Sequence, residues 1–295
     1  MRASQTPTRQ VLLASLLFGT TGTAQALGPS ASPLAVGAAR IAVGGLLLAL
    51  VARFVKRRRG GRRWHRGVLV AAALGVAGYQ LSFFTAVSET GVAIGTVVAL
   101  GSGPSFAGLL GAMVRGERLS GRWAACTALA VGGVALLVLG GETAAVSVPG
   151  VLAALGAGFS YATYTVASKS LLADGHSPEG VMAGAFGLGA VLLLPVLPLA
   201  GAGWLASADG LALALYLGAV PTAVAYLLFA RGLRSLSAAE TATLTLAEPL
   251  TAAALGVVVL SEQMQATGIA GAALVIAGLA AMALPGWRRP LPVPA

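Results

Sequence analysis

Charge is what this chain has least of: Asp, Glu, Lys and Arg make up 9% of its 295 residues, against about 25% in ordinary soluble domains. That scarcity excludes a water-soluble domain. Acidic residues are scarcest, with 9 against 19 basic ones and a net charge of +10. Nucleic acid is excluded as the partner, because a binder needs its basic face on a soluble scaffold and the apolar runs leave no room for one. A hydrophobic fraction of 57% excludes disorder. The single cysteine, Cys126, cannot form an intramolecular disulfide, and with only His65 and His176 there is no Cys/His cluster for a metal. No cofactor motif is present.

What is abundant is apolar sequence in long runs. A bilayer core about 30 Å thick needs roughly 20 apolar residues per helix. Ten such segments run over about 11 to 27, 33 to 54, 67 to 87, 92 to 114, 121 to 140, 149 to 171, 178 to 200, 210 to 231, 238 to 260 and 266 to 285. They lack the alternation of barrel strands, and helices are then the only way to satisfy backbone groups in lipid. The many Ala and Gly residues suit close helix packing, and Gly91 to Gly95 forms a GxxxG expected to pack within the chain. Cys126 is expected to be a small core residue.

Lys and Arg stay on the cytoplasmic side of a membrane. With the N-terminus inside, the inner segments receive Arg2, Arg9, Arg53, the basic run Lys56 to Arg66, Arg115, Arg118, Arg122, Lys169, Arg231, Arg234, Arg288 and Arg289, and the outer loops receive none. Both termini are therefore expected in the cytoplasm. Arg2 and Arg9, the run from Val11 to Phe18 and Ala24-Gln25-Ala26 also fit a cleaved signal peptide. Retention is expected, because removal would leave nine helices and break the repeat described next.

The sequence matches itself 145 residues on, without a gap from Ser32 to about Gly133. Ser32-Pro33 meets Ser177-Pro178, Phe84 meets Phe229, Thr96 meets Thr241, Pro104 meets Pro249, Glu117 meets Glu262 and Gly133 meets Gly278. Each half (1–140 and 145–295) thus carries five helices, and because five is odd the second half enters the membrane inverted. The expected fold is an all-α integral membrane protein with ten transmembrane helices in two inverted five-helix repeats, the architecture of secondary transporters.

With Pro33 and Arg40 in the second segment, then Pro104, Gly116-Glu117-Arg118-Leu119 and Gly132-Gly133-Val134, the chain resembles the EamA-type drug/metabolite transporter superfamily over nearly its whole length. The second half repeats the pattern as Glu248-Pro249-Leu250, Ser261-Glu262 and Gly278. It departs from the family at Phe18-Gly19, where Trp-Gly is frequent, and at Ser261-Glu262, where Gly-Glu is usual. The resemblance implies ten helices, a central cavity lined mainly by the first, third, fourth, sixth, eighth and ninth, and movement of small metabolites. It does not supply the substrate.

Polar residues inside spans are costly and so become candidates. Glu248 lies about ten residues into the ninth segment; proton coupling or binding of a substrate amine competes there with a structural hydrogen bond. Arg40 is either an anchor to backbone carbonyls or a partner for Glu248 or an anionic substrate. The first segment offers Thr20, Thr21, Thr23 and Gln25, the third Tyr79, Gln80, Phe83 and Phe84, the sixth Tyr161 and Tyr164, and the eighth Tyr226 and Phe229. Aromatic walls with a few hydroxyls and amides suit amphipathic solutes, although such groups also hydrogen-bond between helices. Thr241 and Thr245 share a face at i, i+4 spacing, with Glu248 on roughly the same side.

Anionic lipid headgroups are the expected partners of Lys56 to Arg66. Glu117 and Glu262 lie at helix ends, where capping or salt bridging is the simpler role. The chain is expected to be a multi-pass plasma-membrane protein that exports a small organic metabolite, amino acid or drug-like amphipath by alternating access, with protons as a possible coupling partner. The alternatives are a membrane enzyme, for which no HExxH or GxSxG motif and no acidic metal cluster exists, and a receptor or scaffold. Monomer and homodimer both stay open.

Overall fold

A computed structural model describes residues 6–55, 64–139 and 147–283. All its regular elements are helical. The order is α1 Thr6–Leu27, α2 Pro33–Phe54, α3 Arg66–Arg115, α4 Gly121–Leu139, α5 Val148–Ala173, α6 Pro178–Leu193, α7 Val196–Ala200, α8 Ala208–Gly218, α9 Ala225–Leu233, α10 Ala238–Leu244, α11 Glu248–Val259 and α12 Ala266–Ala283. A π-helical turn, Ala219–Val224, joins α8 to α9, and a 3-10 turn, Thr245–Ala247, joins α10 to α11. Most of the basic run, residues 56–63, lies outside the described residues.

Helix starts follow local chemistry. Ser147, Ser177 and Ser207 accept the backbone N–H three residues on, with Pro in the first turn after Ser147 and Ser177. Ser237 and Glu240 form a reciprocal capping box at α10.

Seven helical stretches among the described residues are long and apolar enough to cross a bilayer. Three of the ten expected segments do not count separately, each for a physical reason. The third and fourth merge in the 50-residue α3, broken at Gly91 by φ 79° and ψ 166°; unbroken it would be about 75 Å long, far beyond a bilayer. Gly91 therefore bends the chain, a use of glycine that its GxxxG spacing does not suggest, and open space surrounds the position a Cβ would take. The seventh stops after 16 residues at Leu193, just before Pro195, and resumes in α7. The first carries Gln10, Thr20, Thr21, Thr23 and Gln25, which lower its hydropathy.

Two buried cores hold the bundle. The larger joins Ile41, Leu171, Met182, Phe186, Phe229 and Leu233 from α2, α5, α6 and α9; the smaller joins Val11, Val134, Leu244 and Val275 from α1, α4, α10 and α12. Cys126 is buried. Large apolar side chains such as Leu46, Leu199 and Val258 cover the outside.

Glycine contacts between α4 and α12 are reciprocal. A Cβ on Gly133 would stand 2.7 Å from both Gly271 O and Val275 N, and one on Gly278 would stand 2.9 Å from Cys126 O and 3.1 Å from Ala130 N. Adding 145 to Cys126, Ala130 and Gly133 gives Gly271, Val275 and Gly278. Rising numbers on α4 meet falling numbers on α12, so the two helices are antiparallel. In α2 and α6, Gly45 lies against Ala190, its own counterpart.

Candidate functional site

A cavity of about 740 Å³ lies within the bundle. Its mouth is bordered by Gln25, Ala26, Val92, Leu260 and Glu262, and its depth by Phe18, Gly103, Tyr161 and Ala242. The opposite end of the bundle is closed by polar contacts. There Glu117 Oε2 accepts the Ala238 N–H at 3.1 Å, Arg115 donates to Ser170 Oγ at 3.1 Å, and Arg231 pairs with Glu179 at 3.0 Å. Lys169 donates to the Leu233 and Arg234 carbonyls at 2.9 and 3.0 Å, placing a cation on the C-terminal end of α9.

Backbone irregularity shapes the wall. Pro221 has no N–H for the Leu217 carbonyl, and the Thr222 hydroxyl donates to it instead at 2.7 Å. The resulting π-turn sets the direction of α9 and of Tyr226, whose ring lies 4.8 Å from Phe18 and 4.2 Å from Phe186 between centroids. In the 3-10 turn, Thr245 donates its one proton to Ala242 O at 2.7 Å. Tyr161 OH, 3.1 Å from Thr245 Oγ1, is then the donor in that contact.

Arg40 and Glu248 both line the cavity and are near enough for their charges to attract. Among the described residues, however, no ion pair joins them, and Arg40 Nε is buried without a hydrogen-bond partner. Deep in the cavity, Arg40 and Glu248 therefore stand separate, while the rings of Tyr79 and Phe83 on its wall stack 5.5 Å apart.

Of the residues singled out in the sequence, the structure brings Thr23, Gln25, Arg40, Tyr79, Gln80, Phe83, Tyr161, Tyr226, Thr245 and Glu248 to the cavity wall, with Thr21 and Phe84. Four others lie off it. Thr20 donates to Leu17 O at 2.7 Å and Thr241 to Ser237 O at 2.8 Å. Tyr164 OH donates to Met182 Sδ at 3.2 Å, and Phe229 is wholly buried in the larger core. Thr96 and Glu262 reach the wall without having been candidates for it. The duplication held a signal for each, since they align with Thr241 and Glu117.

Apolar membrane-length helices around a cavity with few, separated polar groups are what a membrane transport protein requires. The EamA-like transporter family model matches residues 10–139 and again 148–284, and the chain belongs to that family. It is a multi-pass plasma-membrane transporter, and the names of its relatives indicate transport rather than enzymatic turnover. The uncharacterized transporter YwfM of Bacillus subtilis (strain 168) is 43% identical over 270 residues, covering 91% of this chain and 90% of that protein. A probable terminal-alkyne amino-acid exporter of Streptantibioticus cattleyicolor is 31% identical over 243 residues, covering 81% and 80%. One solved crystal structure, at 24% identity, superposes with a TM-score of 0.79 over 93% of this chain and 95% of its own. That likeness concerns the fold.

Proposed function

We propose that the protein exports a small zwitterionic solute, an amino acid or amino-acid-like amphipath, by alternating access. The cavity carries this reading. Glu248 and Arg40 face one space without pairing, and unpaired charge in a half-buried site is costly. A solute ammonium beside Glu248 and a solute carboxylate beside Arg40 would satisfy both, with the apolar body among Tyr79, Phe83 and Tyr226. The amino-acid exporter among the relatives supports the same solute class. Glu248 can also hold a proton when the solute is absent, which gives a route for proton coupling.

The proposed frame is two inverted five-helix repeats, 1–140 and 145–295, making ten membrane crossings with both termini cytoplasmic. The antiparallel, reciprocal contacts of Gly133 and Gly278 support a two-fold axis in the membrane plane. The basic residues support the closed end as the cytoplasmic one, so that the cavity opens outward.

The test is flux into proteoliposomes of labelled zwitterionic amino acids with aromatic or branched side chains. Protein-dependent uptake that disappears when the amine is acetylated or the carboxylate amidated is the expected result. Saturable binding without flux would favour a receptor, turnover without flux an enzyme, and either would overturn the proposal.

A further inference from the structure

We propose that Glu117 and Glu262 are the two latches of the transport cycle, each closing one end of the cavity by capping the helix that begins across from it. The inference rests on the alternating-access reading above. It starts from two copies of one device, of which the structure engages only one.

The first copy ends α3. Gly116 takes the left-handed conformation at φ 65°, and the Glu117 N–H turns back to Gly111 O at 3.2 Å. The carboxylate folds over Gly111, where a Cβ would stand 2.7 Å from Oε2. From there Oε2 reaches the Ala238 N–H at the start of α10, 121 residues away in sequence, and Oε1 receives Arg115 Nε at 3.3 Å. Glu117 is 9% exposed. A carboxylate on the first N–H groups of a helix is favoured by both hydrogen bond and helix dipole.

The second copy ends α11 and repeats each part 145 residues on. Ser261 is left-handed at φ 58°, and the Glu262 N–H turns back to Gly256 O at 3.1 Å. The Glu262 carboxylate sits against Gly256 as Glu117 sits against Gly111. The counterpart of Ala238 is Ala93, two residues after the Gly91 break in α3. Here the equivalence ends. Among the described residues no hydrogen bond or ion pair engages the Glu262 carboxylate, which is exposed at the cavity mouth.

The engaged latch lies at the closed end and the free one at the open end, as an exchange of latches requires. When the mouth closes, Glu262 takes the N–H of Ala93 while Glu117 releases Ala238. Because one like contact replaces the other, the two states stay close in free energy, and solute binding can shift them. The left-handed Ser261 keeps the second carboxylate presented while it is unused.

The test uses single cysteines in a Cys126→Ala background, with an impermeant thiol reagent applied to right-side-out and inside-out vesicles. Ala253→Cys reports on the wall of the open cavity and Ala239→Cys on the sealed end. Glu117→Gln is expected to lower labelling at 253 and raise it at 239, each by roughly fivefold, the equivalent of about 1 kcal/mol for one weakened hydrogen bond. Glu262→Gln is expected to move both sites the opposite way, and the double variant to return them toward wild type. Equal or same-sign shifts in the two single variants, or no recovery in the double, would overturn the latches, with thermal stability measured alongside to exclude misfolding. If wild-type labelling at both sites stays constant with and without solute, the alternating-access reading itself fails, a result separable from the first.

Discussion

Glu248 lies ten residues beyond Ala238, next to Pro249, on a wall that also carries Arg40 and three tyrosines. Replacing it with Gln keeps its shape and removes its charge. Glu248→Gln is therefore expected to express and melt close to wild type while zwitterion uptake falls at least about tenfold, the loss of one charge-assisted hydrogen bond of roughly 1.5–3 kcal/mol. Flux and thermal denaturation measured on the same preparation check this, and unchanged flux would remove Glu248 from the site. Residues of this kind are legible in the sequence because a polar group within an apolar span stands out against its surroundings. Which way it points is less legible. Thr241 and Thr245 share a face on an ideal helix, yet Thr241 bonds back to Ser237 while the 3-10 turn brings Thr245 to Tyr161. Tyr164 and Phe229 have the same composition signal as Tyr161 and Tyr226, and only packing separates the core pair from the cavity pair.

At the scale of helices, the close contact between α4 and α12 rests on positions with no room for a side chain. Gly133→Val would press its Cβ into the Gly271 carbonyl and the Val275 amide, both backbone atoms that cannot swing aside. A loss of about 1–3 kcal/mol is expected, read as a lowered melting temperature in detergent, with a similar loss for Gly278→Val because its contacts are the counterparts. A melting temperature unchanged in both would mean that α4 and α12 do not meet this way. The duplication made the correspondence of these helices readable, since Pro, Glu and Phe matches at one offset are hard to obtain by chance. It did not reveal which glycines touch: Gly91 of the familiar spacing makes a bend and Gly95 packs across it on the backbone of Ala86 and Val87, whereas Gly133 and Gly271 meet across 138 residues of sequence. Breaks at Pro195 and Pro221 follow from the missing N–H, but only the folded chain shows that Thr222 takes over the freed carbonyl.

For the whole molecule, sidedness is the claim most open to direct measurement. Arg118 and Gln263 are counterparts and both exposed, so the proposed frame puts them on opposite faces. In the Cys126→Ala background, Gln263→Cys is expected to react with an impermeant reagent on intact cells, and Arg118→Cys only after permeabilisation; the reverse pattern would invert the frame. The all-helical, membrane-spanning character was the most readable part of the sequence, because long apolar runs announce it, while the cavity depends on side chains distant in sequence. Arg40 and Glu248, unlike the mouth residue Glu262, are not themselves duplicated. The counterpart of Glu248 is Gly103 and that of Arg40 is Ala185, so the proposed frame of matching halves would enclose a chamber whose inner acid, base and aromatic rings have no matching set across the repeat. That lack of a matching set would give the chamber a hand: mirror-image forms of the proposed zwitterion, anchored at both charges, would turn their side chains to different surfaces, and the proposed site is expected to be stereoselective within a nearly symmetric frame.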